Sequence, residues 1–241
     1  MAAAAAMSET MVQMSGVRFR WRRQDALILD VPVFQVERGE RVFVKGPSGS
    51  GKTTLLNLLG GVVAPESGRV EIMDTDMAAL DGARRDAFRA DHIGIIFQMF
   101  NLVPYLSLID NVVLPCRFSS CRRQRALGRA ASLQEEARRL LAAMELDVDA
   151  HLSRPVAELS TGQQQRVAAA RCLIGAPELV IADEPTSSLD ADVRKSFLDL
   201  LFGEIGAAGS TLVFVSHDSS LAGAFDRTLA LAEINRAGNR Q

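Results

Sequence analysis

A glycine-rich loop between a short apolar strand and a helix constrains this chain more than any other feature. The stretch RVFVKGPSGSGKTTLL, residues 41–56, contains the pattern G-x-x-x-x-G-K-[ST] from Gly46 to Thr53. An apolar segment precedes the glycines and an apolar helical segment follows them, which is the context in which this pattern marks a phosphate-binding loop. A chance match in a glycine-containing turn is the alternative. The flanking elements argue against it, so the sequence predicts a nucleoside triphosphate site.

The residue types of this loop suit a polyphosphate. Glycine has no Cβ and adopts positive φ, so that successive N–H groups can turn inward around the phosphates. The following helix adds the positive end of its dipole. Lys52 supplies a charge to the β- and γ-phosphates, and the Thr53 hydroxyl is a ligand for Mg²⁺. The expected nucleotide-binding residues of the loop are Gly46, Pro47, Ser48, Gly49, Ser50, Gly51, Lys52, Thr53 and Thr54.

Composition narrows the class of partner. The 241 residues carry a formal net charge of −2, so no global basic field favours nucleic acid, and no nucleic acid partner is expected. A chain of this length forms one large domain or a domain with an insertion. Cys116, Cys121 and Cys172 lack metal-ligand spacing and are expected to be free thiols in a reducing cytosol.

The sequence contains neither the pattern of a membrane-spanning helix nor that of a secretion signal. No run of about 18 apolar residues is present. The opening MAAAAAMSET lacks a basic segment followed by a long apolar core. Residues 1–13 are therefore expected to be a disordered tail, with Met7 as a second candidate start, and residues 236–241 a polar tail.

The order of apolar segments predicts an α/β domain with a helical insertion. Fully apolar runs such as IGIIF are typical of strands buried on both faces of a parallel sheet. From residue 99 to about residue 158 the pattern is helical, which predicts an inserted helical subdomain. Strands are predicted at residues 14–21, 26–36, 41–45, 69–73, 93–97, 179–182, 211–215 and 227–234, and helices from Lys52 and at residues 83–91, 108–115, 127–146, 161–174 and 193–205.

A run of arginines in the insertion has two interpretations. Arg122, Arg123, Arg125 and Arg129 lie close together in a helical segment. They form either a contact surface for lipid headgroups or a partner, or a solvated helix face, and the solvated face is favoured.

Two carboxylates end the apolar strand LVIAD. Downstream of a phosphate loop, Asp183 is expected to hold Mg²⁺, directly or through water, and Glu184 to orient or deprotonate the attacking water. A helix cap is the alternative for an acidic pair that stands alone.

The stretch LSTGQQQR, residues 159–166, precedes this strand. Ser160 is a natural N-cap, and Gly162 leaves the first N–H groups of the following helix open to an anion. Alternatively, the two residues do no more than start a helix.

These motifs occur together and in a fixed order, and the chain resembles the nucleotide-binding subunit of ATP-binding cassette (ABC) transporters over nearly its whole length. The motifs are the GPSGSGKT loop, Gln98 after IGIIF, LSTGQ, LVIADEP, Ser188–Leu189–Asp190, and His217 after TLVFVS. The resemblance implies a P-loop NTPase fold at residues 14–235. Its core sheet is mostly parallel, with an N-terminal antiparallel part and the helical subdomain inserted.

The resemblance also implies roles for individual residues. Gln98 would bridge Mg²⁺ and the attacking water, and His217 would contact the γ-phosphate and support Glu184. Trp21 would stack on adenine, although a lone tryptophan on a strand is more often core. In a head-to-tail homodimer, the nucleotide of one subunit would face residues of the other, among them Ser160, Gly162, Gln163 and Asp190. Position 161 is threonine where the usual signature, LSGGQ, has glycine.

A membrane permease subunit is the partner that the resemblance implies, which would place this chain peripherally on the cytoplasmic side of the bacterial inner membrane. FQMFNLVPYLSL, residues 97–108, is the stretch expected to meet it, because apolar residues crowd a loop there. The same residues could equally be core. The chain resembles the lipoprotein-release, macrolide-export and peptide-export branch, so the expected cargo is a lipoprotein, lipid, drug or peptide.

Three other functions remain open. One is a non-transporting ABC ATPase that regulates cell-envelope remodelling at division. Another is an ABC ATPase acting on nucleic acid or ribosomes, which the single cassette and the net charge disfavour. The last is a small-molecule kinase, which leaves LSTGQ unexplained.

Overall fold

The computed structural model describes residues 9–151, 154–187 and 189–237, whose strands form two sheets. The strands are β1 (Thr10–Phe19), β2 (Leu29–Glu37), β3 (Arg41–Lys45), β4 (Ser67–Ile72), β5 (Thr75–Asp76), β6 (Ile93–Ile96), β7 (Leu179–Asp183), β8 (Thr211–Ser216) and β9 (Arg227–Ala230). The helices are α1 (Lys52–Leu59), α2 (Gly82–His92), α3 (Leu108–Val113), α4 (Pro115–Phe118), α5 (Ser120–Leu127), α6 (Leu133–Ala143), α7 (Thr161–Leu173), α8 (Ala191–Ala208) and α9 (Leu231–Ile234).

A parallel five-stranded sheet with the order β6-β7-β8-β3-β9 forms the centre of the molecule. Its strands are apolar on both faces because both faces are covered. Phe43 packs into the cluster that contains residues of α7 and α8, whereas its neighbours Val42 and Val44 pack into the cluster that contains residues of α1 and the second sheet. The parallel pairing places the carboxyl ends of β3, β7 and β8 side by side.

The second sheet is antiparallel, with the order β2-β1-β4-β5. Strand β1 begins at Thr10, so the expectation that the disordered tail extends to residue 13 is wrong: Thr10, Val12 and Gln13 pair with β2, and Val12 is fully buried. Residues 1–8 lie outside the described residues. The other predicted limits of the domain stay predictions.

Helices α3 to α6 lie between β6 and α7 in the chain. The single helix predicted at residues 127–146 is wrong, because α5 ends at Leu127 and α6 starts at Leu133. The Ser132 hydroxyl caps α6 by accepting a hydrogen bond from Glu135 N at 3.1 Å. A new helix therefore starts here, within a segment whose apolar spacing resembles that of one continuous helix. None of the helices in the described ranges combines the length and hydropathy needed to cross a bilayer. The expected fold class, α/β with a mostly parallel core sheet, an antiparallel part and inserted helices, is confirmed.

Only the first half of the last predicted strand, residues 227–234, is a strand, because β9 ends at Ala230. After Ala230 the chain turns into α9, and Leu231 is buried against the sheet. The expected polar tail begins as ordered chain, since Arg236 N donates to Asp30 O at 2.8 Å. Residues 238–241 lie outside the described residues.

Arg122 contradicts both interpretations of the arginine run. Its side chain is 3% exposed, and its guanidinium donates to Ile174 O at 2.8 Å and to Cys172 O, at the carboxyl end of α7. Burial lowers the pKa of Arg122. Arg125 pairs with Glu178 at 2.6 Å, while Arg123 and Arg129 are exposed. Part of the run therefore ties the inserted helices to the central domain.

Arg122→Met is expected to destabilise the protein by about 2–4 kcal/mol, because it leaves two buried carbonyls without their charged donor. Arg123→Met, one position along the same helix but exposed, is the matched control and should change stability by less than about 0.5 kcal/mol. Denaturant unfolding of both variants measures the difference. Equal loss in the two variants would contradict the structural role of Arg122.

Candidate active site

The predicted phosphate-binding loop lies between β3 and α1. Gly49 and Gly51 have φ angles of 76° and 101°, which other residues rarely adopt. A Cβ on Gly51 would also lie 3.2 Å from side-chain atoms of both Ile28 and Leu29. Gly51 is the N-cap of α1 and has no side chain to cap the helix, so the first N–H groups of α1 remain available for an anion.

Lys52 lies within this loop and is almost fully buried. Its Nζ donates to Gly46 O at 2.8 Å and to Pro47 O at 3.0 Å, and it lies 3.2 Å from Glu184 Oε1. The ammonium group therefore stands between the backbone of the loop and a carboxylate, where its charge is weakly screened by solvent.

Glu184 is the centre of the side-chain arrangement. Its second carboxylate oxygen, Oε2, is 2.5 Å from His217 Nδ1, and its backbone N donates to Val215 O at 3.0 Å. The residue has a φ of 44°, a left-handed conformation that costs about 1–3 kcal/mol for a residue with a Cβ. Such strain is typical of functional sites. Here it turns the carboxylate from the end of β7 toward Lys52 and His217.

Asp183, the last residue of β7, is partly buried beside α1. Burial raises the pKa of its carboxyl group, a hydrogen bond from the Thr53 side chain lowers it, and the nearby charge of Glu184 raises it again. The net direction is upward. A partly desolvated carboxylate next to a hydroxyl supplies adjacent oxygen donors of the kind that bind hard cations.

The structure brings most of the predicted site residues around one cavity of about 630 Å³. Gln98, in the turn after β6, is exposed at this cavity. The predicted residues that line it are Pro47, Ser48, Gly49, Gly51, Lys52, Thr53, Thr54, Gln98, Asp183, Glu184 and His217. The predicted residues that do not line it are Trp21, Gly46, Ser50, Ser160, Gly162, Gln163 and Asp190.

The signature residues start helix α7, away from this cavity lining. The Ser160 hydroxyl accepts from Gln163 N at 3.3 Å, and the Gln163 side chain accepts from Ser160 N at 2.9 Å, which together form a capping box. The predicted N-cap is therefore confirmed. Gly162 has no such local function among the described residues, where a Cβ at this position would meet only the Leu189 side chain, at 3.8 Å.

Two other residues lie apart from the cavity lining. The Asp190 side chain caps α8 by accepting from Val193 N at 3.0 Å. Trp21 is 54% exposed and stands edge-on to Phe19, with ring centroids 5.1 Å apart. The alternative that this tryptophan is core is wrong, because its ring lies at the surface just beyond β1. Ser188 lies outside the described residues.

Sequence reasoning missed three residues near the site. Ile28 lines the cavity, and only its position just before β2 could have indicated this. Arg194 forms an ion pair with Asp218, the residue after His217, and its Nη2 donates to Leu189 O at 2.9 Å. No local pattern predicts this pair, since the two residues are distant in the chain and meet only through the fold.

Comparisons with known proteins agree with this geometry. The sequence model described as ABC transporter matches residues 29–187. The chain is 38% identical over 228 residues to the lipoprotein-releasing system ATP-binding protein LolD of Chromohalobacter salexigens, which covers 94% of this chain and 92% of that protein. It is 36% identical over 232 residues to the macrolide export ATP-binding/permease protein MacB of Chromobacterium violaceum, which covers 94% of this chain and 34% of that protein.

The chain is also similar to a solved structure of an ATP-binding cassette, with a TM-score of 0.79 at 33% identity. That structure is dimeric and represents a post-hydrolysis state with ADP and Pi bound. The match covers 91% of this chain and 94% of that one. The fold and the phosphate-loop site thus define a P-loop ATPase of the cassette type. The chain belongs to the ABC transporter family as an ATP-binding, ATP-hydrolysing subunit, and its expected branch, with LolD and MacB, is confirmed.

Asp183→Asn tests the electrostatics of the site. Because burial raises the pKa of Asp183, its ionised form costs folding free energy at neutral pH, and the uncharged variant should melt at a higher temperature. The gain should grow as the pH rises from the ordinary carboxyl pKa through the raised one. Each kcal/mol should shift Tm by about 2–4 °C in a protein of this size. Thermal denaturation across this pH range measures the shift.

Asp226→Asn is the control, because its expected change in melting temperature is opposite to that of Asp183→Asn. The Arg41 side chain lowers the pKa of Asp226 through a hydrogen bond, so the ionised carboxylate stabilises the folded state and this variant should melt lower at neutral pH. That stabilisation is lost as the pH falls through the lowered pKa. If Asp183→Asn also melted lower at neutral pH, burial would not dominate at Asp183.

Proposed function

We propose that this chain hydrolyses ATP as one half of a homodimer and drives a separate membrane subunit that exports or extracts a lipoprotein, lipid, drug or peptide. The observation that carries the proposal is the position of the Glu184 carboxylate. It lies 3.2 Å from Lys52 Nζ and 2.5 Å from His217 Nδ1, at the wall of the phosphate-loop cavity. This is the arrangement needed to activate water beside a bound γ-phosphate.

Each residue of this arrangement has its own task. The turned loop and the N-terminus of α1 bind the phosphates, and Lys52 supplies its charge to their β- and γ-oxygens. Glu184 orients the attacking water and accepts its proton. His217 contacts a γ-phosphate oxygen and holds Glu184 in place. Positioning and charge stabilisation supply most of the rate enhancement in phosphoryl transfer, so the fixed backbone of Glu184 matters as much as its carboxylate.

Mg²⁺ fits the oxygen donors at one side of the cavity. The Thr53 hydroxyl donates a hydrogen bond to the Asp183 carboxylate, and the Gln98 amide lines the same cavity. We assign these three as the protein ligands, directly or through water, because Mg²⁺ prefers oxygen ligands and is usually shared between a few side chains and the substrate phosphates. When bound, the ion neutralises charge on the phosphates.

A second copy of the chain would complete the site. Ser160, Gly162 and Gln163 do not line the cavity of their own subunit, and a head-to-tail dimer would bring them to the nucleotide of the partner. Gly162 supports this arrangement. In the described part of the chain no contact requires glycine there, whereas close approach of a phosphate to the start of α7 does. Asp190 would lie at the same interface, and Trp21 would stack on the adenine.

Glu184→Gln tests the ATPase mechanism. The variant should bind ATP normally, lose at least about a hundredfold in kcat because the base is gone, and accumulate as a dimer with ATP. Nucleotide titration, steady-state hydrolysis and size-exclusion chromatography measure the three properties. Glu135→Gln, on the exposed side of α6, is the control and should behave like the unchanged protein. Normal turnover by the Glu184 variant would remove this residue from the proposed role.

The proposed docking place of the membrane partner is a groove of about 570 Å³ between α2 and the first inserted helices. Phe118 lines this groove and is 76% exposed, and Met99 and Tyr105, in the segment that follows β6, are 80% and 81% exposed. Tyr105 belongs to the stretch predicted to meet a partner. Leu102 and Val103 of that stretch are only partly buried. The apolar patch and its position next to the Gln98 turn favour an occupant that senses or drives nucleotide turnover.

The names of the relatives support the proposed cargo. One relative is named as the ATP-binding protein of a lipoprotein-releasing system and another as a macrolide export ATP-binding/permease protein, which supports a lipoprotein, lipid or drug as the cargo. We propose that the protein works on the cytoplasmic side of the bacterial inner membrane. A non-transporting ATPase in cell-envelope remodelling at division remains the alternative.

The Glu184→Gln variant with ATP, used as bait in detergent-solubilised membranes, separates these possibilities. Recovery of a multi-pass protein with a large periplasmic domain supports export or extraction, and recovery of a small division-type partner with cell-wall enzymes supports the alternative. Recovery of ribosomes or nucleic acid alone would overturn both. An added Phe118→Ser change should abolish recovery of the membrane protein, whereas Leu127→Ser, also exposed but outside the groove lining, should not.

A further inference from the structure

The turn that carries Gln98 has an unusual backbone. Phe100 and Asn101, two and three residues after Gln98, have φ angles of 59° and 51°. Two consecutive left-handed residues, neither of them glycine, are uncommon because the Cβ of an L-residue is crowded in this conformation. Within the turn, Phe100 N donates to Phe97 O at 3.0 Å, which encloses Gln98 and Met99. The position of Gln98 thus depends on a conformation that these residues do not favour by themselves.

Arg171 holds this conformation from the neighbouring helix α7. Its Nη1 donates to Asn101 O at 2.6 Å and its Nη2 donates to Phe100 O at 2.5 Å. Among the described residues, both oxygens that its guanidinium contacts are therefore carbonyls of the two left-handed residues. The planar fork of an arginine fits two adjacent acceptors, and charged donors form the stronger hydrogen bonds. Burial lowers the pKa of Arg171, as expected for a cation placed among carbonyl groups.

The same helix begins at the signature. Ser160 caps α7 and Arg171 lies in its last turn, 11 residues later in the chain, which corresponds to about 16 Å along a helix. The residues between them form one continuous helix with a buried face. The signature and the residue that contacts the Gln98 turn therefore lie at opposite ends of one continuous helix.

We propose that Arg171 is a positioning residue for Gln98, which holds the left-handed turn in place and links the position of Gln98 to that of the signature helix. The inference rests on the proposed function, because it gives Arg171 a role only if Gln98 takes part in hydrolysis. Arg171 itself does not line the nucleotide cavity. Its effect should appear in the rate of turnover and not in the binding of ATP.

The experiment is a double-mutant cycle of Arg171→Gln and Gln98→Ala, assayed by steady-state ATP hydrolysis. Each single variant should lower kcat by about ten- to a hundredfold and leave KM for ATP within about twofold, since misplacing a positioned group costs rate without removing phosphate contacts. The double variant should have the kcat of Gln98→Ala alone, because residues that act through one another are not additive. Arg171→Lys, which keeps the charge but not the fork, should fall between the unchanged protein and Arg171→Gln.

Arg125→Gln separates positioning from stability. Arg125 also donates to a main-chain carbonyl, Ala176 O at 3.2 Å, and joins the inserted helices to the central domain through Glu178, but it has no bond to the Gln98 turn. This control should lower the melting temperature and leave kcat unchanged at temperatures where the protein is folded. A kcat that follows the melting temperature in both variants would show that Arg171 is only structural.

The remaining outcomes also decide the question. If Gln98→Ala lowers kcat and Arg171→Gln does not, or if their effects multiply in the double variant, Arg171 does not act through Gln98 and the inference fails. If Gln98→Ala leaves kcat unchanged, Gln98 has no role for Arg171 to support and the inference fails with it. The Glu184→Gln result still decides the ATPase mechanism separately.

Discussion

The parallel pairing of β3, β7 and β8 is the constraint on which the rest of the site depends. Its register places Lys45 beside Ser216, and Asp183 beside Val215, so that three chain segments leave the sheet at the same edge. The phosphate loop, Glu184 and His217 follow directly from these strand ends. In open parallel sheets, ligands bind where the carboxyl ends of the strands meet. Here this edge carries the ammonium group of Lys52, the carboxylate of Glu184 and the imidazole of His217.

Electrostatic contacts then determine how these groups face each other. Lys52 bonds two loop carbonyls and stands against Glu184, whose left-handed backbone turns it toward His217. The network is short and only partly exposed, and charges in such surroundings interact strongly. Its strained backbone is held by tertiary bonds such as that from Glu184 N to Val215 O. A preorganised site of this kind reduces the rearrangement needed at the moment of hydrolysis.

Arginines connect parts of the domain that lie far apart in the chain. Arg122 and Arg125 attach the inserted helices to the central domain. Arg171 donates hydrogen bonds to the Gln98 turn. Arg194 links the start of α8 to Asp218, the residue after His217. In all four cases the guanidinium donates to a main-chain carbonyl oxygen. Arginine suits this use because its planar donors can bridge two acceptors and retain their charge when buried.

The sequence by itself determined the phosphate loop, the acidic strand end, the signature and the family, because each of these is a short contiguous pattern whose residue types follow from its chemistry. Local apolar patterns also predicted most of the strands and helices, whereas the antiparallel part of the fold was expected only from the resemblance to the family. Only the tertiary structure decided that Arg122 is buried, that Trp21 is exposed and that Arg171 holds the Gln98 turn. Those features depend on pairs of residues far apart in the chain, and a helical segment rich in arginine has the same local pattern whether it faces solvent or the end of another helix.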